Sequence, residues 1–255
     1  IEFYKYQGTG NDFVIIDDRD NTFPIEDNEI IAAICERRMG IGADGLILLR
    51  NHNKYDFEMI YFNSDGNQSS MCGNGGRCIV AFAAILGIIE YETVFMAIDG
   101  VHKAKLTKEG VFLQMQDVKS IERRLSGLFL NTGSPHYVQM VDTFTSCNVD
   151  REGREIRNSA DFNKDGVNVN FVLDTDPLEV RTYERGVESE TLSCGTGVVA
   201  AVLAMHYSNI ITDSIVDVKT RGGILNVDFE EFNGIYRNIW LSGDVSMVYA
   251  GEFEC

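Results

Sequence analysis

Short apolar runs alternate with polar, turn-forming stretches along the first half of the chain, and this pattern predicts a sheet-rich fold. Residues 1–6 and 13–17 are predicted strands, separated by Gln7-Gly8-Thr9-Gly10-Asn11-Asp12. Two glycines and an Asn-Asp pair favour a tight turn, although a polar loop of this kind also suits the mouth of a binding site. The same alternation predicts further strands at 46–49, 56–62, 94–98, 101–107 and 111–116.

The second half repeats this pattern after a more charged stretch at 117–127, which we interpret as a domain junction. The predicted strands are 128–131, 137–141, 167–173, 178–183, 214–220, 224–230, 235–242 and 245–253. Asn168 and Asn170 both lie on one of them. Because Asn is a poor strand former, we expect a polar environment at that edge of the sheet.

Four segments have the pattern of helices. Asp27 is the predicted N-cap of a helix over 28–39 that Gly40 would end, and Asp150 is the predicted N-cap of a helix near 151–158. The other two helices are almost wholly apolar, and each begins at a cysteine, Cys72 or Cys194. Helices of this composition are typically buried.

The two cysteine segments are copies of one pattern. Cys72-Gly73-Asn74-Gly75 matches Cys194-Gly195-Thr196-Gly197, and in both halves strands and a loop precede it while a buried helix and a hairpin follow. The sequence therefore predicts an internally duplicated α/β unit. Such a duplication would place equivalent helix N-termini on the two sides of a cleft.

Composition and charge exclude several classes of partner. The 255 residues suffice for one large or two medium domains, and no run approaches the roughly 20 apolar residues of a membrane span. The N-terminus lacks the pattern of a signal peptide. A formal charge of −17 argues against nucleic acid and against an anionic membrane as partners. We therefore expect a cytoplasmic protein.

The cysteines do not have the spacing of a disulfide framework or a zinc site. The six are Cys35, Cys72, Cys78, Cys147, Cys194 and Cys255. No Cys-x-x-Cys occurs and no histidine cluster stands near Cys72 and Cys78, so no metal is expected. The glycine loop at 40–45 lacks the spacing of a nucleotide fingerprint. No lysine lies in a loop suited to pyridoxal phosphate, so we expect no cofactor.

A thiol at a helix N-terminus has a lowered pKa, because unpaired N–H groups and the helix dipole favour the thiolate. Two such thiols could remove a proton from one face of a carbon and return one to the other, which is racemisation or epimerisation. Two alternatives remain open from the residues alone. Either cysteine could be a buried structural residue. A cysteine hydrolase could pair one thiol with His136, although that mechanism leaves the second thiol unused.

Seven segments of the chain carry a resemblance to one known family: 8–13, 62–66, 72–78, 134–136, 167–169, 183–186 and 190–197. Through them the chain resembles diaminopimelate epimerase, a cofactor-independent enzyme family of lysine and peptidoglycan precursor biosynthesis. The resemblance covers essentially the whole chain. Proline racemase-like enzymes share the paired cysteines but usually carry a His in the first Cys-Gly-x-Gly, where this chain has Asn74.

The resemblance implies a fold, a reaction and an assembly. The fold would be α/β (α+β), with two pseudo-symmetric domains, each a curved, mostly antiparallel sheet wrapped round a central helix. The domains would span 1–117, with a C-terminal strand at 247–255, and 118–246. The activity would be epimerisation of LL- to meso-diaminopimelate, an isomerisation of a small amino-acid substrate. Tyr249 matches a position of the family's dimer contact, so a homodimer is expected.

The resemblance also implies roles for individual residues. Cys72 and Cys194 would be the general base and acid. Gly73, Asn74, Gly195 and Thr196 would present N–H groups to the carboxylate at the reacting carbon. The distal end of the substrate would be held by Asn11, Asn63, Asn168 and Arg185, while Glu184 and His136 would assist catalysis, with Glu184 also touching the substrate.

Three departures from some members leave individual contacts open. Ser134 stands where some members have Asn, and Gly45 stands where some have a substrate-touching Gln. The loop from Glu184 to Cys194 is one residue longer than in some members. Two other functions also remain open, an epimerase of a different amino acid and a binding module that has kept the fold without the chemistry.

Overall fold

The computed structural model describes residues 1–69 and 71–254, and these form two compact units. One unit comprises Ile1–Leu113 and the segment that begins at Gly243, and the other comprises Gln114–Ser242. The boundaries expected from the sequence, after 117 and after 246, stay predictions beside this division. Within the described residues, no helix has both the length and the apolar character that a membrane span requires.

The first unit is a mostly antiparallel sheet with two helices. The elements are β1 (Glu2–Gly8), β2 (Asn11–Asp17), α1 (Asn28–Cys35), β3 (Gly45–Arg50), β4 (Glu58–Asn63), α2 (Gly73–Ile85), β5 (Glu92–Ala97), β6 (Gly100–Thr107), β7 (Gly110–Gln114) and β17 (Val245–Glu252). Strand β1 pairs with β2 and with β17. The β2–β3 and β4–β5 pairs are parallel, whereas β3–β4, β5–β6 and β6–β7 are antiparallel.

The second unit has the same plan. The elements are β8 (Glu122–Arg124), β9 (Gly127–Asn131), β10 (Pro135–Met140), α3 (Val149–Arg157), β11 (Asn168–Leu173), β12 (Leu178–Glu184), β13 (Ser189–Thr191), α4 (Gly195–Tyr207), β14 (Ile215–Thr220), β15 (Gly223–Phe232) and β16 (Ile235–Gly243). The β10–β11 and β12–β14 pairs are parallel, whereas β8–β9, β9–β10, β11–β12, β12–β13 and β14–β15 are antiparallel.

The two units confirm the predicted duplication at the level of topology. In each, an antiparallel pair of strands is followed by a helix, a strand parallel to the second of the pair, and an antiparallel partner. A cysteine-headed helix follows, after the short additional strand β13 in the second unit. The strand after that helix runs parallel to the antiparallel partner, β4 in the first unit and β12 in the second, and opens a hairpin. The mixed α/β fold class is confirmed as well.

The cysteine-headed helix lies at the centre of each unit. Helix α2 packs against β1, β2, β3, β6 and β17, and α4 packs against β9, β10, β11, β12 and β15. Every residue of α4 from Val198 to Ala204 is fully buried. A helix that is apolar on all sides is stable only when strands surround it, which explains why the sheet encloses it.

Two local predictions need correction. Helix α1 has the predicted Asp27 cap but ends at Cys35, not at 39, because Glu36 is extended and the amides of Ile41, Gly42 and Ala43 donate to the carbonyls of Ile34 and Cys35. Helix α3 is capped by Asn148, and not by Asp150, because the Asn148 side chain accepts from the Arg151 N–H. Asp150 lies in the first turn of α3 and accepts from the Glu190 amide. The stretch at 117–127 contains the short strand β8, and its role as a domain junction stays a prediction.

Candidate active site

Both predicted catalytic cysteines are N-cap residues. Cys72 precedes α2 and Cys194 precedes α4, each with an extended backbone (φ −101°, ψ 126° and φ −123°, ψ 108°). The first main-chain bonds of the two helices are Gly76 N–H to Cys72 O and Val198 N–H to Cys194 O. The amides of Gly73, Asn74, Gly195 and Thr196 therefore precede the helical ladder, as N–H groups available to an anion must.

Asn11 contacts the Cys72 sulfur and is itself hydrogen-bonded to Asn74. The Cys72 Sγ lies 3.5 Å from Asn11 Oδ1, which also accepts a 3.2 Å hydrogen bond from Asn74 Nδ2. Asn11 Nδ2 donates at 2.7 Å to Asp44 Oδ2. A carboxylate only accepts, so this bond fixes the amide of Asn11 with its oxygen towards the thiol. Asn11 thus offers an acceptor to the protonated form of Cys72.

Arg77 is fully buried on α2, one turn beyond Cys72. Its Nη2 donates at 3.1 Å to Asn74 Oδ1 and its Nη1 at 3.4 Å to the Gly73 carbonyl. Among the described residues, Nε has no hydrogen-bond partner and no Asp or Glu makes an ion pair with the guanidinium. Burial lowers the pKa of Arg77, and the charges that act on it are those of Cys78, Cys72 and Asp244. A buried cation of this kind favours a thiolate at Cys72.

A charged cluster supports Asn11 from the side of α1. Arg37 donates to Asp12 and to Asp44, in both cases at 2.7 Å, and Lys5 pairs with Asp12 at 2.7 Å. Burial alone would raise the pKa of Asp12. The hydrogen bonds from Arg37 and Lys5 outweigh that effect and lower the pKa to about 2. The cluster keeps Asp44 in place as the acceptor that orients Asn11.

Asn63 and Gly45 form a register pair at the same end of the sheet. Asn63 is the last residue of β4 and lies opposite Gly45, the first residue of β3. A Cβ at Gly45 would lie 2.5 Å from the Phe62 carbonyl and from the Tyr61 ring. No side chain fits at Gly45. Only main-chain groups are therefore present at the position where the sequence resemblance implied Gln in some family members.

A neutral network surrounds the second thiol. Thr196 Oγ1 lies 3.6 Å from Cys194 Sγ and 2.9 Å from His136 Nε2. His136 is fully buried, and burial, aided by the positive charge of Arg185, lowers its pKa to about 3. The imidazole is therefore neutral at physiological pH. Its contact with Thr196 ties β10 to the start of α4.

Asn170 completes this network, although the sequence had indicated only that its strand needs a polar environment. Its Nδ2 lies 3.0 Å from His136 Nδ1 and 3.2 Å from the Tyr137 carbonyl, and its Oδ1 accepts from Thr182 Oγ1 at 2.9 Å. The side chain is fully buried. Two asparagines on one strand were the only sign of it in the sequence, and that sign does not identify the partner.

Asn168, Ser134 and Arg185 are brought together at the neighbouring position. Asn168 Nδ2 donates to Ser134 Oγ at 2.9 Å and to the Pro135 carbonyl at 3.1 Å, while its Oδ1 accepts from the Arg185 amide at 2.9 Å. Asn168 is almost fully buried, whereas the Arg185 side chain is exposed. Glu184, half-buried, ends β12 beside them. Asn168 therefore holds the 184–186 turn against β10.

The remaining residues singled out from the sequence are Tyr249 and the buried cysteines. Tyr249 on β17 is 43% exposed and packs edge-on against Phe3. Cys35 and Cys78 are buried, and burial raises the pKa of each to about 12. Cys255 lies outside the described residues. Across residues 1–69 and 71–254, His, Cys, Asp and Glu form no cluster of three that could hold a metal ion.

The chain is similar to known proteins along almost its whole length. A family model described as diaminopimelate epimerase matches residues 3–119 and 128–248. A diaminopimelate epimerase of Flavobacterium psychrophilum is 49% identical over 252 residues, with 98% of each chain covered. One of Aquifex aeolicus is 40% identical over 276 residues, covering 100% of this chain and 98% of the relative.

The fold is also shared with proteins of low sequence identity. A phenazine biosynthesis protein of the PhzF family from Bacillus anthracis superposes with a TM-score of 0.78 at 13% identity, covering 100% of this chain and 99% of the other. At that identity the likeness shows the fold alone.

Proposed function

The chain belongs to the diaminopimelate epimerase family, and we propose that it interconverts LL- and meso-diaminopimelate with Cys72 and Cys194 as the two acid–base groups. The full-length match to relatives named for this activity carries the substrate. The position of both cysteines at the N-cap of a buried helix is the observation that carries the mechanism.

The reaction needs one thiolate and one thiol on opposite faces of the α-carbon. The thiolate takes the α-proton, and the electron pair left on carbon is delocalised into the adjacent carboxylate. The second thiol then gives its proton to the other face. No atom is gained or lost: the first cysteine ends as a thiol that holds the former α-proton, and the second ends as a thiolate. General acid–base catalysis of this kind contributes roughly 10²–10⁴-fold for each group.

The helix starts supply the stabilisation that the carbanion needs. Negative charge builds on the carboxylate as the α-proton leaves. N–H groups of Gly73, Asn74, Gly195 and Thr196 would bind that carboxylate, and each helix dipole adds a positive field. These donors are main-chain groups held by the helix, so they need no reorganisation when the charge develops.

The distal end of the substrate carries a second ammonium and carboxylate. Arg185 is exposed and can bind a carboxylate through two parallel hydrogen bonds. Asn11, Asn63 and Asn168 would complete the recognition of that end. Arg185 is held by its main-chain bond to Asn168 and by donation from Nη1 to the Asp165 carbonyl at 2.9 Å.

The proposal also covers the assembly and the location of the enzyme. A homodimer through β17 is supported by its exposed apolar residues Met247, Val248 and Tyr249. A cytoplasmic location is supported by the chemistry, because two catalytic thiols require a compartment that keeps cysteine reduced.

Incubation of the purified enzyme with LL-diaminopimelate in deuterium oxide, without added cofactor, tests this function. We expect meso product that carries deuterium at one α-carbon, detected by mass spectrometry and proton NMR. Cys72→Ala and Cys194→Ala should each lose epimerisation by roughly 10²–10⁴-fold. Cys78→Ala serves as the matched control and should keep wild-type turnover. Full activity in either N-cap variant would refute the two-cysteine mechanism.

A further inference from the structure

A chain of buried hydrogen bonds runs from β11 through β10 to the sulfur at the start of α4. We propose that Asn170 is a positioning residue that fixes the proton of His136 on Nε2 and so directs the Thr196 hydroxyl onto the Cys194 sulfur. The proposal deepens the proposed function, because it gives Cys194 a resting proton state that the epimerisation would use.

The orientation of the Asn170 amide is determined by its neighbours. The Tyr137 carbonyl, 3.2 Å away, can only accept, so the Asn170 atom that faces it must be Nδ2. The other side of the amide is then Oδ1, which accepts from the Thr182 hydroxyl at 2.9 Å. All three residues are fully or almost fully buried, so water does not substitute for these bonds.

The amide orientation in turn determines the tautomer of His136. The second hydrogen of Asn170 Nδ2 points to His136 Nδ1, 3.0 Å away, which must therefore be the unprotonated nitrogen. A neutral imidazole carries its one proton on the other nitrogen, here Nε2. The burial that keeps His136 neutral is thus joined to a contact that selects one of its two neutral forms.

The tautomer sets the direction of the last two bonds. His136 Nε2–H donates to Thr196 Oγ1 at 2.9 Å, so the hydroxyl hydrogen of Thr196 is left to point elsewhere. Cys194 Sγ lies 3.6 Å from that oxygen. A donor directed at sulfur stabilises the thiolate and not the thiol. His136 acts here through Thr196 and does not take a proton itself.

The charged groups on the strands around α4 are compatible with this arrangement. Arg185, which follows β12, is the charge that acts on His136, and it opposes protonation of the imidazole. Arg181 on β12 is paired with Glu190 at 2.6 Å. Glu184 ends β12 and is half-buried, and the variants below leave it unchanged.

The direct test is the tautomer of His136 in the whole protein. We expect the ¹⁵N shifts of His136, assigned by their loss in His136→Gln, to be those of a neutral ring protonated on Nε2 from pH 8 down to pH 5. In Asn170→Leu the selection should be lost and the Nδ1-protonated form should appear. A wild-type ring protonated on Nδ1, or charged at pH 6, would overturn the proposal.

Alkylation of Cys194 tests the consequence without any substrate. In a Cys72→Ser background, Asn170→Leu should slow iodoacetamide labelling of Cys194 at pH 7 by about tenfold, since a hydrogen bond to a charged group is lost. The matched control is Thr182→Val, which removes the bond to Oδ1 but keeps both Nδ2 contacts, and it should change the rate by less than about twofold. Equal slowing in both variants would overturn the proposal.

A double-mutant cycle tests whether Asn170 acts on Cys194 through the Thr196 hydroxyl or through a change in packing. Thr196→Val removes the hydroxyl and should itself slow labelling of Cys194, and adding Asn170→Leu to it should have no further effect. Additive slowing would contradict the relay. Labelling of Cys147, which is buried in the same unit, reports any opening of the fold. If Asn170→Leu exposes Cys147, the wild-type tautomer and the Thr196→Val rate decide the question. Neither readout uses turnover, so failure of the epimerase activity alone would count only against the proposed function.

Discussion

The two helix starts have the same backbone arrangement but differ in the side chains around the cysteine sulfur. Both are Cys-Gly-x-Gly segments with an extended N-cap cysteine, and both lead into a 13-residue helix at the centre of a sheet. Around Cys72 the second layer is ionic, with buried Arg77 and the Asp12–Asp44–Arg37–Lys5 cluster. Around Cys194 it is neutral, with Thr196, His136, Asn170 and Thr182. The position that Arg77 occupies in α2 is Val199 in α4.

This difference indicates how two copies of one element can favour different proton states of their cysteines. The helix start gives both thiols the same kind of main-chain donors and the same dipole, which favour the thiolate. The side chains then act in opposite directions. A fixed acceptor, Asn11 Oδ1, stands by Cys72 and favours the thiol, while a directed donor at Thr196 favours the thiolate of Cys194. Arg77 opposes the effect of Asn11, so the proton state of Cys72 is a balance of two contributions.

Matched glycines give the largest expected contrast between the two starts. At Gly197 a Cβ would lie 2.3 Å from Asn170 Oδ1, whereas at the equivalent Gly75 it would meet only apolar side chains, at 3.0 Å from Ile47 Cδ1 and 3.4 Å from Phe13. We expect Gly197→Ala to lower the free energy of unfolding by about 1–3 kcal/mol, because Asn170 is displaced from its partners.

Gly75→Ala should be near neutral, since the helix propensity of Ala, worth up to about 1 kcal/mol, offsets the tight packing. Urea denaturation of both variants measures the difference. Equal destabilisation would mean that the neutral network has no special rigidity.

The fall in the free energy of unfolding below pH 7 should distinguish the ionic groups around Cys72 from the neutral groups around Cys194. The folded pKa of His136, about 3, is below its unfolded value, so its contribution is complete above pH 6.5 and is lost as the pH falls towards 3. The folded pKa of Asp12, about 2, lies below the unfolded 3.8, so its contribution is lost between about pH 4 and 2.

His136→Gln should therefore flatten the fall in unfolding free energy between pH 6.5 and 5, by about 2 kcal/mol, and Asp12→Asn should flatten only the part below pH 4, by a similar or smaller amount. Urea titrations at pH 7, 5, 3.5 and 2.5 check both windows. Identical profiles for the two variants would contradict the assignment of one window to each layer.

The buried cation should produce a smaller effect that is confined to one thiol. In a Cys194→Ser background, Arg77→Met should raise the pKa of Cys72, read from the pH dependence of alkylation, by about one unit, which is roughly tenfold less thiolate below the pKa. Arg77→Lys keeps the charge and should shift it less. In the reciprocal Cys72→Ser background, Arg77→Met should leave Cys194 unchanged, and a shift there would point to a general loosening of the fold.

The duplication, the fold class and the position of both cysteines at a helix start could be predicted from the sequence alone. These features depend on residues close together in the chain, namely the period of apolar residues, the glycines after each cysteine and the turn residues before them. The ends of helices could not be predicted as closely, because they also depend on contacts with residues elsewhere in the chain. Asn148 and Asp150 are both good N-cap residues. In the structure the Glu190 amide of β13 donates to the Asp150 carboxylate, so Asn148 is the residue that caps α3.

Only the tertiary structure decided which polar side chains meet. Asn170 reaches His136 because β10 and β11 are parallel with His136 opposite Asn168, and Thr196 reaches His136 because α4 packs against both strands. Likewise Asn11 meets Asp44, 33 residues away, through the pairing of β2 with β3. A hydrogen bond requires its two atoms within about 3 Å, and local sequence does not fix such distances between remote segments. The sequence therefore determined where each thiol stands, and the strand register decided which groups set its proton.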